Sequence, residues 1–330
     1  MSVRIGAPRP PAWLAAVFEG AGAVLWWHAE TGKAGAEIWD APRAAGWIDE
    51  VWSGASAAIL AEGDAPGVSD RTGPLERFAR QAALAAWRAA WWPASNSAHI
   101  APLDPRILAA ERLLALAGLD GAIDDDNAVR RAAQHLSEQT RAVGSLDEHG
   151  LGLDDAARLA QLVSGRQDGD RCRFVLEAVT EIADDHGVDL PRVVARTRSD
   201  YALAASGPAV GAALLAGSDP VDPGAVPQGV VDPFARIEWR VTTTLTIEVS
   251  VPAAPLFDDV APDRIELRAQ IAGTEIALDR AGDVWVGNGP APAELIALPP
   301  EHRTARLRAT GFAPIDGVDV DTLRRIARGL

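Results

Sequence analysis

The hydrophobic pattern changes twice along this chain, and each change predicts a different kind of structure. Residues 1–72 hold only short apolar stretches. Val24–Trp27 and Ala57–Leu60 suit strands and Pro11–Glu19 suits a helix, with glycine-rich turns at Gly20–Gly22 and Gly32–Gly35 between them. This mixture predicts a small α/β part.

From Thr72 to about Ser206 the period becomes helical. Pro74 occupies a first helical position, and Leu75, Phe78, Ala82, Ala85 and Ala89 follow at helical spacing until Pro93 ends the run. Asp104 and Pro105 open a second helix through Ile107, Leu108, Leu114 and Leu116, which closes near Gly118. Further helices are expected after Asp126 and after Leu153. The clearest has Asp170 as its cap, Phe174, Val175, Ala178, Val179 and Ile182 on one face, and Gly187 just past its end. Asp189 and Pro191 mark a sixth start. Short connections between helices of this length predict a compact, mostly antiparallel bundle.

Four prolines, Pro220, Pro223, Pro227 and Pro233, then break any helix or central strand within residues 217–233. Beyond them the period is two. From Ile237 to Val251 the odd positions are Ile, Trp, Val, Thr, Leu, Ile, Val and Val, which describes one half-buried strand or two joined by a bend. Arg264–Ile271, Glu275–Leu278, Val284–Val286 and Ala305–Ala309 add strands. A closing helix over Asp321–Arg328 is capped by Asp319 or Asp321. The chain therefore reads as an α+β multidomain protein. Its parts are a Trp-rich mixed α/β region (1–72), a helical bundle (73–216), a Pro/Gly linker (217–233) and an antiparallel β-sandwich with a closing helix (234–330). The pattern leaves open whether 1–72 and 73–216 share one core.

Tryptophan sharpens this picture. Nine of the eleven lie in the first 92 residues, and only Trp239 and Trp285 follow. Trp supplies much buried area and is enriched where proteins meet partners. Residues Trp26, Trp27, His28, Trp39, Trp47, Trp91 and Trp92 are therefore the expected partner-binding set. On a strand, Trp26 and His28 share one face and Trp27 takes the other.

Charge narrows the range of partners. The net charge is −15, and the segments 1–92, 93–230 and 231–330 carry −2, −9 and −4, so none is net basic. A phosphate-neutralising surface for nucleic acid, or a basic face for an anionic membrane, is not expected. The longest apolar stretch, Ala202–Ala216, is broken by Ser206, Gly207 and Pro208, well short of the ~20 residues of a membrane span. No signal-peptide core precedes Pro8, Pro10 and Pro11. A cytoplasmic location follows as an expectation. Lys33 is the only lysine among 31 basic residues, which together with abundant alanine suggests a GC-rich bacterial genome.

Catalytic signatures are sparse. Lys33 is followed by Ala34, so no phosphate-binding GxxxxGK[ST] exists, and Leu25 stands where a dinucleotide fingerprint from Gly20 would need its third glycine. GxSxG and HExxH are absent. The single cysteine, Cys172, excludes an internal disulfide and suits a small buried hydrophobe. Asp124, Asp125 and Asp126 could hold Mg²⁺ with substrate phosphates, although three consecutive aspartates also cap a helix start. Asp147-Glu148-His149 could form a metal or acid–base pair but also suits an exposed loop, and Asp184-Asp185-His186 suits a solvated helix end. Ser95, Ser97, His99 and Asp104 contain triad residue types without a predictive spacing. The sequence thus favours a partner-binding adaptor or assembly subunit of a bacterial cytoplasmic system, without catalytic activity or cofactor and acting on another protein. The alternatives are a Mg-dependent enzyme on the acidic helix start and a self-assembling, homo-oligomeric structural subunit.

Overall fold

The computed structural model describes residues 2–60, 67–119, 122–123, 125, 127–147, 150–163, 170–191, 213–256 and 265–329. They fall into two compact units, one built from 1–91 and 104–196, the other from 92–103 and 197–330. Both sheets are antiparallel, and the protein is of mixed α+β class.

The first unit opens with β1 (Val3–Gly6), β2 (Ala15–Gly20), β3 (Ala23–His28) and β4 (Ala34–Ile38), in the order β1-β4-β3-β2. Ala21 and Gly22 join β2 to β3, with Gly22 at φ 74°, which glycine adopts without a Cβ clash. β3 is buried on both faces, which is why its sequence, AVLWWH, shows no alternation. Helices α1 (Ala41–Val51) and α2 (Ala55–Leu60) follow. The run Ala57–Leu60, expected as a strand, is thus helical. The Asp49 carboxylate accepts from Ser56 N–H (2.7 Å) and Ser56 Oγ (2.6 Å) and so caps that short helix. The stretch Pro11–Glu19, expected as a helix, is one 3-10 turn at Ala12–Leu14 followed by β2. Ala16 and Phe18 alternate there with the half-buried Val17 and exposed Glu19, a period of two that the short window concealed.

The helices follow as α3 (Glu76–Trp91), α4 (Pro105–Ala117), α5 (Ala128–Val143), α6 (Leu153–Ala160) and α7 (Arg171–Asp185). Asp104 caps α4 by accepting from Arg106 N–H (2.8 Å), and Asp170 caps α7 through Cys172 N–H (3.0 Å). The sheet and the helices share one unit: Trp27 Nε1 donates to Glu76 of α3 (3.2 Å), and Trp87 Nε1 to Trp13 C=O (2.9 Å). Among these helices a buried ion group joins Arg88, Glu111 and Arg158, with Arg88–Glu111 at 2.7 Å and Glu111 fully buried. The helix start expected at Asp189–Pro191 runs into residues outside those described.

The described residues of the second unit form seven strands: β5 (Ala213–Pro220), β6 (Arg236–Thr242), β7 (Thr246–Pro252), β8 (Leu267–Ile271), β9 (Thr274–Ala281), β10 (Val284–Pro290) and β11 (Ala305–Ala309). Helices α8 (Ala293–Ala297) and α9 (Val320–Gly329) accompany them, α9 capped by Asp319. The strands expected to form a two-sheet sandwich lie in one sheet instead, ordered β11-β8-β9-β10-β7-β6-β5. β9 pairs with β8 over Thr274–Leu278 and with β10 over Asp279–Ala281, and the sheet curls into a half-barrel whose inner face is buried. Ile237, Trp239, Val241, Ile247, Val249 and Val251 form much of that inner face. Asp219 ties the two edge strands: its Oδ2 accepts from Ala305 N–H of β11 (2.9 Å) and from Trp239 Nε1 (3.1 Å). The segment expected as a linker from residue 217 begins inside β5. It is an edge strand, so the terminal Pro220 breaks no central ladder.

Residues 92–103 belong to this second unit as a loop. Ser95 and Ile100 exchange both backbone hydrogen bonds (2.9 and 2.8 Å). The fully buried Asp232 carboxylate accepts from Ser97 N–H (3.2 Å), Ser97 Oγ (3.0 Å) and Phe234 N–H (2.9 Å).

Candidate functional site

The first unit carries a half-open cleft of about 740 Å³, a size in the range of small-ligand and peptide pockets. One wall is the edge strand β2, contributing Val17 to Gly20. Ala82 and Ala86, one turn apart on α3, also line the cleft. Helix α4 adds Ala109, Arg112 and Leu116, and α5 adds Ala128, Arg131, Ala132 and His135, in each case at the three- and four-residue spacing of one helix face. Trp39, just after β4, completes the lining and is 57% exposed. Its N–H donates to Gly22 C=O (3.0 Å) at the β2–β3 turn.

The cleft's electrostatics are uneven. Asp125 accepts from the Arg131 guanidinium and from Asn127 N–H (3.1 Å), and the Arg131 hydrogen bond holds its carboxyl below the usual carboxylate range. His135 lies 3.9 Å from Glu138 on its own helix. The Arg112 side chain has no ion pair or hydrogen bond among the described residues.

Of the seven side chains expected to bind a partner, Trp26, Trp27 and Trp47 lie in the core, each less than 5% exposed. They are buried because β3 is covered on both faces and because α1 packs Trp47 edge-on to Phe18, with centroids 6.1 Å apart. Trp47 Nε1 donates to Ala21 C=O (2.9 Å). His28 Nδ1 accepts from Glu30 N–H (3.2 Å) and Thr31 N–H (3.4 Å), closing the β3–β4 turn. Trp91 and Trp92 are half-buried, and Trp92 Nε1 donates to Ala101 C=O (2.8 Å). Trp39 alone of the set lines the cleft.

Of the acidic run only Asp125 is among the described residues. Asp125 is committed to Arg131, while Asp124 and Asp126 lie outside the described residues, as do Glu148 and His149. Among the described residues no group of three or more His, Cys, Asp or Glu side chains is placed to hold a metal ion. Ser95 Oγ lies 3.2 Å from Ser97 Oγ, and Ser97 is bound to Asp232 rather than to a histidine. His99 is exposed on a left-handed turn at φ 55°. Cys172 is buried within α7, its Sγ 3.7 Å from Leu151 C=O. No helix among the described residues is long and apolar enough to cross a membrane.

Sequence reasoning missed the cleft because it is framed by alanines, which look like ordinary core positions. The one available signal was Arg112 and His135, which interrupt the small-residue faces of their helices. No protein-family profile, curated protein or solved structure matches this chain.

Proposed function

We propose that the protein is a non-catalytic, partner-binding subunit of a bacterial intracellular assembly, and that it binds its partner at the Trp39 cleft. The observation that carries this reading is the combination, on one cleft of about 740 Å³, of a largely exposed tryptophan and an arginine whose side chain has no partner among the described residues. Exposed Trp and Arg are the side chains that most often dominate binding energy at interfaces. Asp125 and Arg131 of the lining pair with each other, and His135 lies beside Glu138 of its own helix.

Capture from lysate of the source organism tests the reading, using tagged wild-type protein beside Ala86→Trp, which fills the cleft from α3. The wild type is expected to retain a stoichiometric foreign protein that Ala86→Trp loses, with both variants melting alike. Equal capture by both, or light scattering that shows only multiples of the 34.7 kDa chain, would sink the proposal.

A further inference from the structure

Strand β2 is an edge, and its open side faces the cleft. In an antiparallel ladder alternate residues bond to the neighbouring strand, and those between point N–H and C=O outward. Ala29 N–H donates to Leu14 C=O (2.8 Å), which fixes the phase: Leu14, Ala16, Phe18 and Gly20 bond towards β3, and Val17 and Glu19 face away. The outward groups of Val17 and Glu19 have no partner among the described residues. Unpaired edges are normally covered or protected by charge, and a bare one is a template for another strand.

We propose that an extended segment of the partner, carrying a carboxylate, adds to β2 as a fifth strand of this sheet and occupies the cleft. The inference rests on the partner-binding reading above. Val17 and Glu19 supply the main-chain hydrogen bonds. Alternate side chains of the added strand then point to opposite faces, as in strand-addition complexes generally. An apolar side chain of the segment fits over Ala82 and Ala86, where the small side chains leave the volume open. Arg112, the one cation of the lining without a partner among the described residues, takes the carboxylate as a charge-assisted pair.

The test uses the whole protein and a random heptapeptide library displayed on phage, selected on the wild type. Selected peptides are resynthesised and measured against Val17→Pro, Arg112→Glu and Ala86→Trp. Proline at position 17 removes only an outward N–H, so the β2–β3 ladder keeps its bonds, and proline is tolerated on edges of this kind. We expect the selected peptides to carry Asp, Glu or a free C-terminus beside β-branched residues. Val17→Pro and Ala86→Trp should abolish their binding, and Arg112→Glu should weaken it at least about tenfold. Bound peptide should also slow amide exchange at Val17 and Glu19 and leave Ala16 and Phe18 as they were. This exchange readout holds even if Val17→Pro fails to fold. Binding lost in Ala86→Trp but kept in Val17→Pro, with no new protection at Val17 and Glu19, overturns strand addition and leaves the cleft reading intact. Selected peptides that ignore Ala86→Trp, or a library that yields none, overturn both.

Discussion

At the scale of single residues, tryptophan position and hydrogen bonding divide the aromatic set into parts with different energetic weight. Trp47 donates from the core to Ala21 C=O, whereas the buried Nε1 of Trp26 has no partner among the described residues. Trp47→Phe therefore loses volume and a hydrogen bond, and Trp26→Phe loses volume but also removes an unsatisfied donor. Urea unfolding should show Trp47→Phe as the costlier change by about 1 kcal/mol, and Trp39→Ala within about 0.5 kcal/mol of wild type. Glu111 gives a second test. Burial pushes its carboxyl above its ordinary value of 4.5, against the pull of Arg88 and then Arg158. A carboxyl raised on folding adds stability that is complete below its unfolded value and is lost as pH rises through the folded one. The stability advantage of wild type over Glu111→Gln should accordingly shrink from about pH 4.5 upwards. Asp49 has the opposite sign: burial raises it, but the Ser56 hydrogen bonds win and leave it below 3.8. Its contribution disappears on acidification. Removing Glu111 outright, as in Glu111→Ala, strands Arg88 inside the bundle and should cost about 3–5 kcal/mol.

Among the elements, helix caps and strand phase were the most legible parts of the sequence. Asp104 with Pro105, and Asp170, stand where the structure caps α4 and α7, because a capping carboxylate acts within three residues and needs no tertiary context. Ile237–Val251 alternates because one face of β6 and β7 is buried and the other is wet. β2 was not legible. Its alternation covers six residues, and its Ala-Ala-Val start fits a helix equally well until α3 and Trp47 of α1 are packed against it. The cleft was hidden for a related reason, since only the meeting of β2, α3, α4 and α5 gives its alanines a shared empty space. The sheet's closure was hidden too: nothing local marks Asp219 as the residue that joins β5 to β11. Asp219→Ala leaves the Ala305 and Trp239 N–H groups without their acceptor and should cost about 1–3 kcal/mol, while Asp170→Ala at a helix end should cost about 1 kcal/mol. Denaturant midpoints of the two variants would check that order.

For the whole molecule, the net charge of −15 sets expectations that no single contact alters. Self-repulsion of this size should make the melting temperature rise between about 10 and 150 mM NaCl, and a DNA duplex should not bind at the higher salt. Fluorimetric melting and gel shift read these two outcomes directly. The division into units has a further consequence, which concerns time. Residues 92–103 interrupt the first unit, yet their anchor Asp232 lies 135 positions downstream of Ser97. At ribosomal rates of about 5–20 residues per second, that loop emerges roughly 7–27 seconds before its acceptor has been made. The hydrogen bonds that tie the loop between α3 and α4 to Asp232 must therefore wait until α4 to α7 and β5 have been synthesised, and they join chain that left the ribosome long before.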